Sequence, residues 1–139
     1  MEDTQQQQTG FSYEMREDGI LIYRLANLHR DTVDAFVEFS HEHDIQAYEA
    51  SMHSRCLLDV SNLSFPTPYA IKRIRESIST SPDGLRESYA VVTPTKPIYT
   101  FARGIMSNLP SSKTSSIHLF SSQEDALLWL TDRLQELGD

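Results

Sequence analysis

Residues 41–44 (His-Glu-His-Asp) are all of types that bind metal ions. Imidazole nitrogens and carboxylate oxygens are common ligands of transition metals. In a helix, however, side chains two residues apart point in nearly opposite directions, so His41 and His43 cannot reach one ion. Glu38 has the helical spacing to pair with His41 or Glu42, but a third converging ligand is missing. We therefore expect a solvated helix end and no metal.

Nucleophilic side chains occur without neighbours that would activate them. Serine is abundant, but the glycine-flanked serine motif of hydrolases is absent. Cys56, the single cysteine, lies in an apolar strand pattern with no cation nearby, which predicts a buried structural residue and excludes an intrachain disulfide.

Acid–base and phosphate-binding motifs are also missing. His29, His53 and His118 are isolated, and no pair of carboxylates lies in an apolar context that would raise one pKa. The five glycines are dispersed, so there is no glycine-rich phosphate loop. The sequence thus predicts a protein without a cofactor and without enzymatic activity.

Length and charge narrow the classes of function further. With 139 residues the chain is expected to form one domain. Its 12 basic and 20 acidic residues give a net charge of -8, which disfavours binding to a phosphate backbone. The apolar runs are too short for a membrane span, and the acidic start does not resemble a signal peptide. We expect a cytoplasmic protein that does not bind nucleic acid.

The first third of the chain predicts a hairpin followed by a helix. Residues 1–10 are polar and are expected to form a disordered tail, with one domain over residues 11–139. Apolar and polar residues alternate over residues 11–15, and Asp18-Gly19 is a two-residue hairpin signal before a strand over residues 20–25 that is apolar on both faces. The helix that follows would be capped by Asp31 or Thr32, bury the stripe Val33, Phe36, Val37 and Ser40, and end either near Asp44 or toward Ser51.

Strands and helices then alternate to the end of the chain. Strands are expected over residues 56–60, 89–92 and 117–120, with a polar loop over residues 110–116. Thr67 and Pro68 have the types preferred at a helix start, and residues 81–84 break that second helix. A third helix covers residues 98–109, and Ser121 with Glu124 forms a capping box for the last one. The prediction is an α/β fold with about four helices and a mixed, mostly parallel five-stranded sheet that opens with a β-hairpin.

Three segments resemble the STAS superfamily (sulfate transporter and anti-sigma-factor antagonist), specifically its SpoIIAA-like group. They are residues 19–23 in the second strand, residues 57–65 leading into the second helix, and residues 119–130 at the start of the last helix. The resemblance spans residues 11–137 and implies a SpoIIAA-like/STAS-like fold and a regulatory role through a protein partner. It also implies a phosphorylation site in an Asp-Ser-Ser-Gly pattern at the start of the second helix. This chain departs from that pattern, since Thr67 replaces the acidic residue and Tyr69 occupies the phosphoacceptor position.

The candidate binding site follows from the predicted sheet, because ligands of open α/β sheets bind at the carboxyl ends of the strands. That edge would collect the hydroxyl-rich segments 27–32, 61–67, 93–96 and 121–122. A helix N-terminus there suits an anion or a phosphate on Thr67. We predict a partner- or anion-binding face formed by Ser61, Ser64, Thr67, Tyr69, Lys72 and Arg73.

Two further possibilities remain open at this point. Lys72, Arg73 and Arg75 are expected on the solvent side of the second helix, where they could contact an acidic partner. A pocket near Tyr69, Tyr99 and Phe101 would instead make the protein a small-molecule carrier or sensor for an anion or an apolar ligand. Leu128 and Trp129 lie off the main apolar stripe of the last helix and suggest a homodimer.

Overall fold

The structure is a computed structural model that describes residues 9–63 and 67–139 of the chain. These residues form five strands and five helices. The strands are β1 (Phe11–Met15), β2 (Leu21–Leu25), β3 (Ser54–Asp59), β4 (Glu87–Val92) and β5 (Ile117–Phe120). The helices are α1 (Arg30–Glu49), α2 (Pro68–Ser79), α3 (Lys96–Met106), α4 (Ser111–Thr114) and α5 (Gln123–Leu137). The predicted disordered segment lies mostly outside the described residues, which begin at Thr9.

One sheet contains all five strands in the order β1-β2-β3-β4-β5. β1 and β2 pair antiparallel, and the other three pairings are parallel. The predicted mixed sheet with an N-terminal hairpin is therefore confirmed. The count of about four helices differs by the single-turn α4, which lies within the segment predicted as a loop.

The hairpin between β1 and β2 has a three-residue loop, where the sequence predicted two residues. Arg16 N–H donates to the Ile20 carbonyl at 2.9 Å, so residues 17–19 form the loop. Gly19 has φ +86°, in the left-handed region that glycine adopts without steric cost. The Asp-Gly pair thus predicted the position of the turn correctly. The loop is one residue longer than predicted, because Gly19 occupies the left-handed third position of a three-residue loop.

Both faces of the sheet are covered, which explains why β2 and β3 are apolar on both sides. One face packs against α1, α2 and α3 through a buried cluster that includes Tyr23, Phe36 and Cys56. Of the described helices, α5 packs against the other face, around Leu57 and Leu130. Cys56 is free and fully buried, and burial raises the pKa of its thiol, as expected for a structural residue.

The helix termini agree only partly with the sequence patterns. Thr67 caps α2 as predicted, because its hydroxyl oxygen accepts the Ala70 N–H at 3.1 Å. α1 instead starts after His29 without a side-chain cap; Thr32 donates its hydroxyl to Asn27 Oδ1 at 2.7 Å. α1 takes the longer of its two predicted lengths. The cap of α5 is Ser122, one residue after the predicted Ser121.

His53, which is isolated in the sequence, fixes the end of the chain to the sheet. Its Nδ1 lies 2.8 Å from the Gly138 carbonyl oxygen, which can only accept, so Nδ1 carries a proton. Its Nε2 lies 2.8 Å from the hydroxyl of the fully buried Ser88. Arg133 on α5 donates its Nε–H to the same hydroxyl oxygen at 2.9 Å. Burial lowers the pKa of His53, so the neutral ring accepts the Ser88 proton.

We predict that Ser88→Ala lowers the free energy of unfolding by about 1–3 kcal/mol, because it leaves buried polar groups without a partner. Urea unfolding followed by circular dichroism measures the change. Ser12→Ala, at an exposed serine on β1, is the control and should change stability by less than about 0.5 kcal/mol. Equal urea midpoints for Ser88→Ala and Ser12→Ala would contradict a stabilising role of the Ser88 hydrogen bonds.

Candidate functional site

The carboxyl ends of the parallel strands meet at one edge of the sheet, where the N-termini of the following helices also lie. α1 follows β2, α2 follows β3, α3 follows β4 and α5 follows β5. Because these four strands are mutually parallel, the four helix starts share that edge. The hydroxyl-bearing turns singled out in the sequence thus lie along one rim, except for residues 64–66, which are outside the described residues.

Asp34 joins α1 to α2 near this rim. The Tyr69 hydroxyl and the Arg73 Nε–H both donate to Asp34 Oδ1, the second at 3.1 Å. The Arg30 guanidinium lies 4.2 Å from the centre of the Tyr69 ring, within range of a cation–π contact. The Tyr69 hydroxyl and then Arg73 hold the pKa of Asp34 below its usual value. Two predicted site residues therefore serve to orient α2.

These contacts change the expected basic stripe on α2. Arg73 is half-buried in its ion pair with Asp34, and Arg75 has a buried Nε without a hydrogen-bond partner among the described residues. Only Lys72 of the three cations is exposed. The expectation that all three face solvent is wrong, because α2 packs against α1 on the side that carries Arg73.

The remaining predicted rim residues have separate local roles. Thr67 is half-buried and caps α2. Ser61 is exposed, and its N–H and hydroxyl both donate to Asp59 Oδ1, the N–H at 2.9 Å. Ser64 lies outside the described residues. Ser61 thus lies in the turn that follows β3, whereas Thr67, Tyr69, Lys72 and Arg73 lie at the N-cap and in the first turns of α2.

The histidine-rich end of α1 does not gather metal ligands. His41 and Glu42 are exposed, whereas His43 is half-buried with Nε2 3.3 Å from the Ser54 hydroxyl. Over residues 9–63 and 67–139, no three side chains of His, Cys, Asp or Glu lie close enough to hold an ion.

A cavity of about 90 Å³ lies between the sheet and the three helices on one of its faces. Its wall is mostly apolar and includes Leu58, Ile74, Ile98 and Phe101. Of the three aromatic residues predicted to form a pocket, only Phe101 lines it. Tyr99 is 44% exposed, and Tyr69 is bound to Asp34, so neither contributes. A ligand pocket formed by Tyr99 and Phe101 therefore stays a prediction, and of these two residues Phe101 lies at the cavity wall.

Two carboxyl groups line this apolar cavity, contrary to the expectation from the sequence. Asp44 on α1 is only 9% exposed, and Glu87 at the start of β4 is half-buried. Burial raises the pKa of Asp44 to about 8, and the charge of Glu87 adds to the shift. Burial also raises the pKa of Glu87. The sequence signal for Asp44 was its position on the buried stripe of α1, four residues after Ser40, whereas nothing in the sequence linked it to Glu87.

Comparison with known proteins identifies the fold. No family model matches the chain, and no curated protein matches its sequence. A candidate anti-sigma factor antagonist from Thermotoga maritima superposes with a TM-score of 0.58 at 14% identity, covering 87% of this chain and 94% of its own. An anti-sigma factor antagonist from Mycobacterium paratuberculosis gives 0.52 at 16% identity, covering 88% of this chain and 93% of its own. The predicted SpoIIAA-like/STAS-like fold is thereby confirmed. Within the described part of the chain, no helix combines the length and apolar character that crossing a membrane requires.

We predict that Asp44→Asn reduces the loss of stability at high pH. In the wild type the native state keeps this proton up to about pH 8, whereas the unfolded chain releases it near pH 3.8, the ordinary pKa of an aspartate side chain. The extra stability is complete below the unfolded pKa and is lost as the pH rises through the native pKa, by up to about 1.4 kcal/mol per pH unit. Asparagine cannot titrate, so the free energy of unfolding should fall less steeply between pH 5 and 8.

Urea unfolding at several pH values measures this difference. Asp31→Asn, an exposed carboxyl on the same helix, is the control and should retain the wild-type slope. Parallel curves for wild type and Asp44→Asn would show that Asp44 ionises normally in the native state.

Proposed function

We propose that this protein is a non-enzymatic regulatory module that binds a protein partner through the start of α2 and the turn before it, and that it acts in the cytoplasm. The fold supports the proposal, because the two structures with which it superposes are named as antagonists of anti-sigma factors. A protein with that name acts on another protein. The carrying observation is the start of α2 at the strand-end rim, where Pro68 and Lys72 are exposed while Tyr69 and Arg73 bind Asp34 on α1.

Rigidity is the property that suits this surface to recognition. Thr67 caps the helix, and Tyr69 and Arg73 fasten it to Asp34 on α1. Pro68 and Lys72 remain exposed, as does Ser61 in the turn that follows β3. A surface that is already ordered loses little conformational entropy on binding, which favours affinity. Lys72 supplies a positive charge on an otherwise acidic protein and thus favours an acidic region of the partner.

The burial of the Ser88–His53 pair supports a non-enzymatic role. Ser88 and His53 have the separation of a nucleophile and its base. The Ser88 side chain, however, is completely buried, and its oxygen already accepts the Arg133 N–H. A substrate has no access to this hydroxyl.

We predict that a photo-cross-linking residue at position 72 captures a discrete protein in cells that express the chain. Lys72→p-benzoylphenylalanine places the reactive group on the exposed face of α2. The captured protein is identified by mass spectrometry, purified and titrated with wild type and Lys72→Glu. We expect Lys72→Glu to weaken binding at least tenfold, since it reverses the charge toward an acidic partner surface.

The control carries the same photo-reactive residue in place of Asp132, an exposed position on α5 at the opposite face of the sheet. It should not capture the same protein. Equal capture at positions 72 and 132, or unchanged affinity of Lys72→Glu, would place the interaction elsewhere.

A second candidate function is binding of a small apolar molecule, and the cavity favours it. Cores of proteins are usually packed without voids larger than a water molecule. Here about 90 Å³ is left open between the sheet and helices α1–α3. Apolar cavities stay dry and can take small apolar ligands. In this role the module would be a carrier or sensor.

We predict that n-butanol raises the melting temperature of the wild type by several degrees when its concentration greatly exceeds its dissociation constant. Ala102→Phe replaces a methyl group at the cavity wall with an aromatic ring, and it should abolish the increase in melting temperature. Differential scanning fluorimetry measures both. No shift in the wild type, or an equal shift in a folded Ala102→Phe variant, would exclude the cavity as the site.

Self-association through α5 stays a prediction. Trp129 packs against His118 and Phe120, with ring centres 4.5 and 5.5 Å away, so it covers the edge of the sheet. Leu128 is 61% exposed and remains available for a second copy of the chain.

A further inference from the structure

We propose that the cavity selects a small apolar amine, with its ammonium group at Asp44 beside Glu87 and its hydrocarbon part along the apolar wall. The proposal rests on the cavity-binding function above and specifies the chemical class of the ligand. It follows from the distribution of charge and hydrogen bonds around the cavity.

Asp44 is a nearly buried acidic side chain at the cavity wall. It is 9% exposed, and its carboxyl group has no hydrogen bond to any of the described residues. Buried polar groups in native proteins are nearly always hydrogen-bonded. A ligand that hydrogen-bonds to this carboxyl would supply a partner.

The charge of the cavity favours a cation. Asp44 and Glu87 are the charged residues among those described in its wall. Lys113, whose charge opposes the rise in the pKa of Glu87, is engaged with the Ser81 carbonyl at 2.8 Å and with Asp83 at 3.0 Å. No cationic side chain described in the wall is paired with Asp44, which holds its own proton below about pH 8. An ammonium ion that displaced this proton would supply the counter-charge and donate the hydrogen bonds that a carboxylate accepts.

The other groups near Asp44 do not offer a competing cation. Cys56 from β3, Tyr23 from β2 and Tyr89 from β4 interact electrostatically with it, and all are neutral at physiological pH because burial raises their pKa values. The charge of Glu87 adds to the rise in the pKa of Asp44. His43, the preceding residue on α1, is half-buried, and burial lowers the pKa of its ring. The Tyr23 hydroxyl is itself buried without a hydrogen-bond partner among the described residues, which adds a second unsatisfied polar atom to this region.

Ligand size and charge distinguish the amine from related molecules. A cavity of about 90 Å³ admits a short alkyl chain but not a long lipid tail. A carboxylate ligand would add a negative charge beside two side chains whose ionisation burial already disfavours. An alcohol would bury the same hydrocarbon but bring no positive charge to an ionised Asp44.

Binding of the amine should release a proton. The free protein holds a proton on Asp44 below about pH 8, and the ligand enters as the ammonium ion. Forming the ammonium–carboxylate pair therefore transfers the Asp44 proton to the buffer. Affinity should rise toward tenfold per pH unit below pH 8 and level off above it.

Titrations with n-butylamine, n-butanol and sodium butyrate, followed by amide NMR at constant ionic strength, test the proposal. At pH 8 we expect butylamine to bind at least tenfold more tightly than the other two. Asp44→Asn should weaken butylamine at least tenfold and butanol less than twofold. Asp31→Asn should affect neither. Calorimetry in two buffers of different ionisation enthalpy should show close to one proton released at pH 6.5, a measurement that needs no variant.

The outcomes distinguish binding of any small molecule in the cavity from selective binding of amines. Failure of all three compounds to bind would exclude both the cavity function and its selectivity. Butanol equal to butylamine, or binding of butylamine without proton release, would leave the cavity function in place and overturn the selectivity for amines. Tighter binding of butyrate would also overturn it.

Discussion

Coverage of the parallel sheet on both faces is the constraint on which the rest of the molecule depends. Parallel strands need crossover connections, and each crossover here places a helix against one face. Three of the major helices cover one face and α5 covers the other. This arrangement brings the helix N-termini to one edge, and it explains why β2 and β3 bury apolar side chains on both of their faces.

Uneven division of the helices between the faces explains why the two candidate sites lie on the same side. α5 alone packs closely over Leu57 and Leu130, which are both fully buried. On the opposite face, three helices must meet the sheet and one another. The Tyr69–Asp34–Arg73 contacts hold α1 and α2 together at the rim. Deeper along the same face, the side chains leave a cavity into which the end of α1 brings Asp44.

Polar groups in this protein have two distinct environments. Ser88, His53 and Arg133 form a satisfied network that attaches the end of the chain to the sheet. Asp44 lies at the cavity wall with 9% exposure, and the Tyr23 hydroxyl is buried without a hydrogen-bond partner among the described residues. A satisfied buried network adds to stability, whereas an unsatisfied group lowers it. The second kind is therefore where a ligand would have the largest effect on the molecule.

Local patterns in the sequence determined the elements and the class of fold. Alternation over residues 11–15, the Asp-Gly turn, the Thr-Pro helix start and the apolar spacing of the helices depend on neighbours a few residues apart, and the structure contains each of these features. Tertiary packing alone decided which polar residues meet. Arg73 binds Asp34 instead of facing solvent, and His53 is hydrogen-bonded to Ser88. Asp44 and Glu87 line the same apolar cavity. These contacts join residues that are distant in the chain, and periodicity cannot predict them because it specifies a face of an element and not the side chain that faces it.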